Sequence, residues 1–246
     1  VSKIISLPQV ASTNTWAKEN AASLINGDVV LTHCQTAGRG QRGNSWEAEP
    51  GKNLTFSLFL QPRHIAPANQ FQISEAVALG VVAALRQHLA STVAPDDIKV
   101  KWPNDIYVGN KKIAGILIEH SLSGNTINHT VAGIGLNVNQ RQFLSPAPNP
   151  VSMWQLVGTE FQLADVLQTV ITEIQTRIDV ADTLHPDFLA ALWRFDGQLH
   201  PFATPPPDNK PFRAKIVGVD SSGLLNLELT NGNIGKYAFK EVSFIL

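Results

Sequence analysis

Leu54-Thr55-Phe56-Ser57-Leu58-Phe59-Leu60 sets Leu54, Phe56, Leu58 and Leu60 against Thr55, Ser57 and Phe59 with the two-residue period of a strand, and Ile98-Lys99-Val100-Lys101-Trp102 repeats that period further along. Between them, Gln70 to Leu89 places Ile73, Val77, Val81, Ala84, Leu85 and Leu89 at helical spacing, which predicts a helix laid on a sheet. Two more apolar runs, Ile113 to Ile118 and Val131 to Val138, flank a turn signal at Gly124-Asn125 and predict a hairpin, so the sheet is at least partly antiparallel. Outward from this centre, Val29 to Thr32 reads as a strand. A first helix starts at Ser12 or Thr13 with Trp16, Ala17, Ala21, Leu24 and Ile25 inward. A later helix carries Leu163, Leu167, Val170, Ile171, Ile174 and Ile178. Helices and strands mix without strict alternation, which makes the class α+β, a mixed sheet with packed helices.

The composition changes after Trp193. Pro201, Pro205, Pro206, Pro207 and Pro211 cluster where neither a helix interior nor a central strand is expected, and a linker is placed there. Short strands follow at Phe212 to Val219, Leu224 to Leu229 and Ile234 to Phe239, separated by Ser221-Ser222-Gly223 and Asn231-Gly232-Asn233. This pattern predicts a small SH3-like β-barrel over 197–246 behind a larger domain over 1–196.

The 246 residues include 43% of hydrophobic type, enough for a substantial core in a soluble chain, with 19 basic against 20 acidic side chains. A net charge of −1 leaves no broad basic field for coating a nucleic acid. The longest apolar run, Ala76 to Leu85, is too short for a bilayer span, and Val1 to Val10 lacks the layout of a secretory signal. A single cysteine, Cys34, excludes an intrachain disulfide framework and a thiolate metal cluster, so a reducing cytoplasm is the expected location.

Gly38-Arg39-Gly40-Gln41-Arg42-Gly43 matches the spacing of the dinucleotide fingerprint, but its context does not. No helical stripe follows, since Asn44 to Gly51 includes Pro50 and Gly51, and Gln61-Pro62-Arg63 stands where a ribose-binding acid belongs. What remains is a loop of three glycines and two guanidinium groups able to close on a carboxylate or phosphate. Lys101-Trp102-Pro103-Asn104-Asp105 ends one strand in a turn, because Pro103 cannot continue the ladder. Lys112 then heads an apolar strand in which Gly115 allows close approach. Ser12-Thr13-Asn14 reads as an N-cap cluster, and Gly133-Ile134-Gly135 leaves a slot beside the sheet where a flat ligand fits. Each has an ordinary structural explanation in isolation: a glycine turn, a strand-end lysine, and an exposed strand face for Lys99 and Lys101.

Taken in order, Ser12-Thr13-Asn14, Gln35-Thr36-Ala37-Gly38-Arg39-Gly40, Lys101-Trp102-Pro103-Asn104-Asp105, Lys112-Ile113-Ala114-Gly115-Ile116-Leu117 and Gly133-Ile134-Gly135-Leu136-Asn137 resemble biotin protein ligases. The resemblance runs from about Lys3 to Val138. It implies the catalytic fold shared with class II synthetases and lipoate ligases, with an SH3-like C-terminal domain. It also implies a reaction in two steps. Biotin and ATP, with Mg²⁺ on the phosphates, give biotinyl-5′-adenylate and pyrophosphate. A lysine of a biotin carboxyl carrier protein then takes the biotinyl group.

By that resemblance Ser12, Thr13 and Gln35 bond the ureido ring, Asn14 supports them, and Gly38, Gly40, Gln41, Gly133 and Gly135 line the biotin slot. Arg39 meets the carboxylate and phosphate, Lys112 binds the biotin carboxyl oxygen and later the adenylate bridge, and Asp105 either orients the incoming carrier lysine or touches the metal. Arg42, Trp46, Asn104 and Asn137 fall to the ATP side, with Trp46 stacking on adenine and Asn137 reading its polar atoms. Buried ureido donors and acceptors need such partners to offset desolvation.

Two departures stand out. The family loop often reads Gly-Arg-Gly-Arg-Arg-Gly with another basic residue after it, whereas Gln41 and Asn44 occupy those places here, which predicts weaker adenylate retention. The matching pattern begins at Ser12, which leaves no room before it for the helix-turn-helix domain of repressor members, so operator binding is not expected. A lipoate or octanoate ligase, lacking a ureido to bind, and a non-catalytic biotin sensor are the competing readings. A homodimer joined through sheet edges is compatible with the pattern, though no motif decides it.

Overall fold

The computed structural model describes residues 2–41, 46–144 and 148–246. Seven strands form one mixed sheet in the order β1-β2-β3-β7-β6-β5-β4. They are β1 (Ile4–Leu7), β2 (Val29–Thr32), β3 (Leu54–Leu60), β4 (Ile98–Lys101), β5 (Asp105–Val108), β6 (Lys111–Ser123) and β7 (Thr126–Leu136). Only β1 and β2 pair in parallel; the other ladders are antiparallel. The hairpin expected at Gly124 is β6 and β7, both longer than their apolar centres suggested, with Gly124 at a φ of 57° in the turn.

Helix α1 (Thr13–Glu19) covers one face of the sheet. On the other lie α2 (Phe71–Leu89) and α4 (Leu163–Ile178), which pack against each other, with the short α3 (Met153–Val157) between them in sequence and α5 (His185–Ala191) against α2. The main core joins the α2 and α4 stripes to Leu54, Phe56, Leu58 and Leu60 of β3. A smaller core of Ala17, Leu24, Val30, Phe59 and Val131 lies under α1. Every residue of β3 is buried, so the face bearing Thr55 and Ser57 does not look into solvent.

Ser12 is the N-cap of α1, with extended backbone and its hydroxyl accepting from Thr15 N–H at 3.4 Å. The first helix is shorter than its apolar stripe implied. Asn20 ends it, donating its side-chain amide to the Trp16 carbonyl at 2.9 Å, and a 3₁₀ turn over Ala21–Ser23 follows. Leu24 is buried, but Ile25, expected inward, is 50% exposed because the helical register has been lost by then.

The C-terminal region is a five-stranded antiparallel sheet, order β11-β10-β9-β8-β12. Its strands are β8 (His200–Ala203), β9 (Pro211–Val219), β10 (Leu225–Leu229), β11 (Ile234–Tyr237) and β12 (Ser243–Phe244). Strands β8 and β12 were not expected, since Pro201 was read as linker. Pro201 is tolerated because the ladder needs only its carbonyl, which accepts from Ile245 N–H at 3.2 Å. This sheet docks on the larger one through Trp102, whose indole donates to the Gly223 carbonyl at 2.9 Å, while Phe71 of α2 fills the space beside Gly223. No helix among the described residues is long and apolar enough to cross a membrane.

Candidate active site

The sheet, the start of α1 and the C-terminal sheet enclose a cavity of about 500 Å³. Its ends differ in chemistry. At the α1 end, Ser12, Thr13 and Asn14 are buried, brought there by the same N-cap geometry that starts the helix. Thr13 donates its backbone N–H to Gln35 Oε1 at 2.8 Å, and its hydroxyl reaches the same oxygen at 3.3 Å. From β3, the Ser57 hydroxyl lies 2.5 Å from Asn14 Oδ1 and 2.8 Å from Thr13 Oγ1, one proton facing two acceptors. Asn14 Nδ2 donates to the Leu117 carbonyl at 3.1 Å and to Glu119 Oε2 at 2.9 Å. Gly133 is required beneath it, because a Cβ there would overlap the Asn14 amide.

At the other end the turn after β4 carries the charges. Asn104 stabilises that turn, accepting Ile116 N–H at 2.9 Å with its carbonyl and donating its side-chain amide to the Ile116 carbonyl at 2.5 Å. Asp105 starts β5 opposite Gly115, and its Oδ1 lies 2.7 Å from Lys112 Nζ. The Lys112 ammonium also stands 5.5 Å from the Trp46 ring centroid. Trp46 covers Gly115 and Gly135, and a Cβ on Gly135 would run into the indole. Where a slot was expected above the two glycines, the Asn14 amide lies over Gly133 and the Trp46 indole over Gly135. The Trp46 Nε1 and Gln41 Oε1 atoms are buried without hydrogen-bond partners.

Lys101 departs from expectation. Read as an exposed strand face, it lines the cavity, its Nζ 5.1 Å from the ring centroids of both Tyr107 and Phe244. Burial holds its ammonium below the usual lysine range; Asp105 opposes this, while Lys112 and Arg194 add to it. Tyr107, buried and facing Asp105, is pushed up to about 12. Phe239, Lys240, Val242, Ser243 and Phe244 of the C-terminal region complete this wall.

Arg39 lines the cavity too, but its guanidinium rests at the α1 end, 3.5 Å from Glu119 Oε1 and 3.4 Å from Thr15 Oγ1. The two cations expected to act together are therefore held apart, Arg39 on Glu119 and Lys112 on Asp105. Burial pushes the Glu119 carboxyl up, yet the hydrogen bonds from Lys18 and Asn14 and the charges of Lys18 and Arg39 outweigh it and leave the group below the ordinary value.

Residues 6–137 match the Biotin/lipoate A/B protein ligase family, which is more than half of the 246-residue chain. The chain belongs to that family. Among similar proteins, the bifunctional ligase/repressor BirA of Escherichia coli (strain K12) is 33% identical over 136 residues, 55% of this chain and 40% of that protein. The biotin–[acetyl-CoA-carboxylase] ligase of Paracoccus denitrificans is 37% identical over 135 residues, 54% of this chain and 53% of that one. The chain thus spans about two fifths and one half, respectively, of these relatives. Biotin protein ligase from Aquifex aeolicus in complex with biotin and ATP superposes with a TM-score of 0.79 at 25% identity, covering 100% of this chain and 99% of that one.

For this member of the family, the cavity gathers Ser12, Thr13, Asn14, Gln35, Arg39, Gly40, Gln41, Trp46, Asn104, Asp105, Lys112, Gly133 and Gly135 from the residues singled out by sequence. Gly38 stands outside the lining, where its carbonyl accepts Trp46 N–H at 3.1 Å and it has no room for a Cβ, 2.7 Å from the Trp46 carbonyl oxygen. It shapes the loop that carries Trp46. Asn137 also lies outside the lining, its Nδ2 donating to the Val151 carbonyl at 3.1 Å and its Oδ1 buried without a partner. Arg42 and Asn44 fall outside the described residues.

Sequence reasoning did not single out Ser57, Glu119 or the C-terminal wall. The signal for Ser57 was available: with Thr55, it is one of two hydroxyl residues in an otherwise apolar strand.

Among the described residues no group of three His, Cys, Asp or Glu side chains could hold a metal. Among the described residues, Asp105 is the one carboxylate lining the cavity.

Proposed function

We propose that this chain is a biotin protein ligase, adenylating biotin with ATP and passing the biotinyl group to a lysine of a biotin carboxyl carrier protein. One observation carries the reading. A single cavity has one end crowded with uncharged hydrogen-bonding groups, Ser12, Thr13, Asn14 and Gln35, where the Arg39 charge is answered by Glu119, and an opposite end holding Lys112, Asp105 and Lys101. A ligand with a polar, uncharged head and a carboxylate tail fits that polarity. In support, the Aquifex aeolicus ligase that shares the fold along its whole length binds biotin and ATP.

In this reading the ureido group of biotin meets Ser12, Thr13, Asn14 and Gln35, and the valeryl chain runs along the Gly133–Gly135 slot once Trp46 moves off Gly135. Trp46 then offers its face to adenine, and its unpartnered Nε1 becomes available to the ligand.

The first step joins a biotin carboxylate oxygen to the α-phosphorus of ATP and expels pyrophosphate. The two reactants repel, so cations must stand between them, which is the work of Lys112 and of Arg39 once it leaves Glu119. Mg²⁺ would come with the ATP phosphates and offset their charge, since among the described residues no carboxylate cluster could hold it. In the second step the carrier lysine's amine attacks the acyl carbon and AMP leaves. Asp105, released when Lys112 turns to the ligand, pairs with the incoming ammonium and takes its proton, freeing the amine to attack; the proton then passes to solvent. Residues 1–196 form the ligand-binding unit and residues 197–246 the small β unit that closes it. Cys34, unpaired, suits a cytoplasmic location. Two copies pair through the sheet edge at β1, where Ile4 is 51% exposed, an association that sedimentation with and without ligand measures.

Biotin-dependent exchange of labelled pyrophosphate into ATP, run beside lipoate and octanoate, tests the ligase reading. Exchange with biotin alone is expected. Exchange with lipoate or octanoate instead moves the chain to the lipoate side of the family, and no exchange with any acid makes it a binding protein.

A further inference from the structure

Glu119 lies on β6 opposite Val131 and does not line the cavity, yet two cavity-lining groups, Asn14 and Arg39, converge on it together with Lys18. Its Oε2 accepts from Asn14 Nδ2 at 2.9 Å, its Oε1 lies 2.6 Å from Lys18 Nζ, and the same oxygen faces Arg39 at 3.5 Å. The side chain is 21% exposed, so these contacts are partly shielded from water.

An asparagine amide has two faces of opposite sense, and only its neighbours decide which one a ligand meets. Here both groups beside the NH₂, the Leu117 carbonyl and the Glu119 carboxylate, are pure acceptors. Oδ1 is thereby turned toward Ser57 and the floor at Gly133, where it can accept from an N–H of the ligand. Of the two anchors the carboxylate is the stronger, since hydrogen bonds to an ionised acceptor are about twice as strong as neutral ones. The Arg39 contact, by contrast, is long and at the edge of solvent, which suits a resting place.

We infer that Glu119 is a positioning residue of this site: it fixes the acceptor face of Asn14 toward the ligand and parks Arg39 at the α1 end until the ligand's anions draw it away. The inference rests on the ligase reading for the identity of the ligand and on geometry for the rest.

The test compares wild type, Glu119→Gln, Glu119→Ala, Asn14→Ala and the Glu119→Ala/Asn14→Ala double variant. Wild-type exchange with biotin is measured first and judges the ligase reading by itself. For the inference, Glu119→Ala raises the biotin KM by about tenfold or more, with the ATP KM and kcat changed by less than about threefold. A glutamine oxygen still accepts from Asn14, so Glu119→Gln recovers most of that loss. Because Glu119 acts through Asn14, the double variant is no worse than Asn14→Ala alone.

Additive effects, or a glutamine variant as poor as alanine, overturn the positioning of Asn14. For Arg39, Glu119→Gln speeds biotin association, followed by intrinsic tryptophan fluorescence, by about threefold, and an unchanged or slower rate overturns the parking contact. The same proteins are melted in parallel. If wild type proves inactive, the ligase reading falls while the Asn14–Glu119 coupling is still read from melting temperatures, and absence of coupling there overturns the inference.

Discussion

Lys112 Nζ sits 2.7 Å from Asp105 Oδ1, so the cation proposed for adenylation and the carboxylate proposed for acyl transfer neutralise each other before any ligand enters. Neither is fully desolvated, with side chains 30% and 19% exposed, so the pair can part without stranding a buried charge. In the proposed reaction this contact divides one site between two half-reactions.

Variants separate those halves. Lys112→Ala should abolish pyrophosphate exchange, by about 10²-fold or more, the scale of losing one donor aimed at developing negative charge. Asp105→Asn should leave exchange nearly intact and slow transfer from preformed adenylate to the carrier by about 10²-fold. Unchanged turnover in the first variant would remove Lys112 from the mechanism, and equal loss in both half-reactions of the second would remove the division of labour.

Ser57 offers one proton to two acceptors, Thr13 Oγ1 and Asn14 Oδ1, in a fully buried strand. Ser57→Ala leaves both without that donor at a cost of about 1–3 kcal/mol. The expected result is a biotin KM raised about fivefold or more together with a lower melting temperature. A shift in melting temperature alone would make Ser57 a core residue with no part in ligand recognition.

Gln41 lines the cavity where the family pattern often has arginine, and its Oε1 is buried without a partner. Gln41→Arg supplies charge-assisted hydrogen bonds to the adenylate phosphate, about twice as strong as neutral ones. The adenylate off-rate should fall about tenfold, a change measured by chase with unlabelled ligand, and equal rates would refute the role.

Glu75 is 2% exposed, its Oε1 2.6 Å from His185 Nδ1. Burial pushes its carboxyl above the ordinary value of 4.5, and the hydrogen bond and charge of His185 pull it only part of the way back. The folded chain therefore keeps a proton that the unfolded chain gives up. Stability contributed by the protonated group is present below 4.5 and declines as pH rises through the raised native value. Glu75→Gln removes that titration while keeping a hydrogen-bonding amide beside His185. Its melting temperature should gain on wild type between pH 4.5 and neutrality, and a constant difference across that range would count against the argument.

How much of this was legible in the sequence depends on what covers each residue. The alternation of β3 set its two faces, and the strand carries Leu54, Phe56 and Leu58 into the core as read. Alternation says which residues share a face, however, and not what lies over it, so Ser57 passed as filler. Lys101 shows the same limit more sharply. Local pattern put it on an open face, and it is Phe244, far away in the chain, that closes that face. Glu119 follows the apolar run Ile113 to Ile118 within β6, as a solvent charge would, and only the packing of α1 brings Asn14 and Lys18 onto it. The residues found directly were those whose type was forced by contact, such as Gly133 and Gly135, where no side chain fits above the sheet. Pro201 misled because a strand that needs only its carbonyl looks, by composition, like a break.

The indole of Trp102 reaches the Gly223 carbonyl, and Phe244 closes on Lys101. The cavity wall thus draws on residues from Ser12 to Phe244, nearly the full span of the chain. During synthesis the N-terminal strands can pair and α1 can dock while the ribosome is still at work, yet the pocket stays open on one side until the last short strand has cleared the exit tunnel. Closure of the cavity is therefore a late event in the folding of this unit, and a nascent chain stalled before Ser243 would have most of these residues in place around a pocket still open to water.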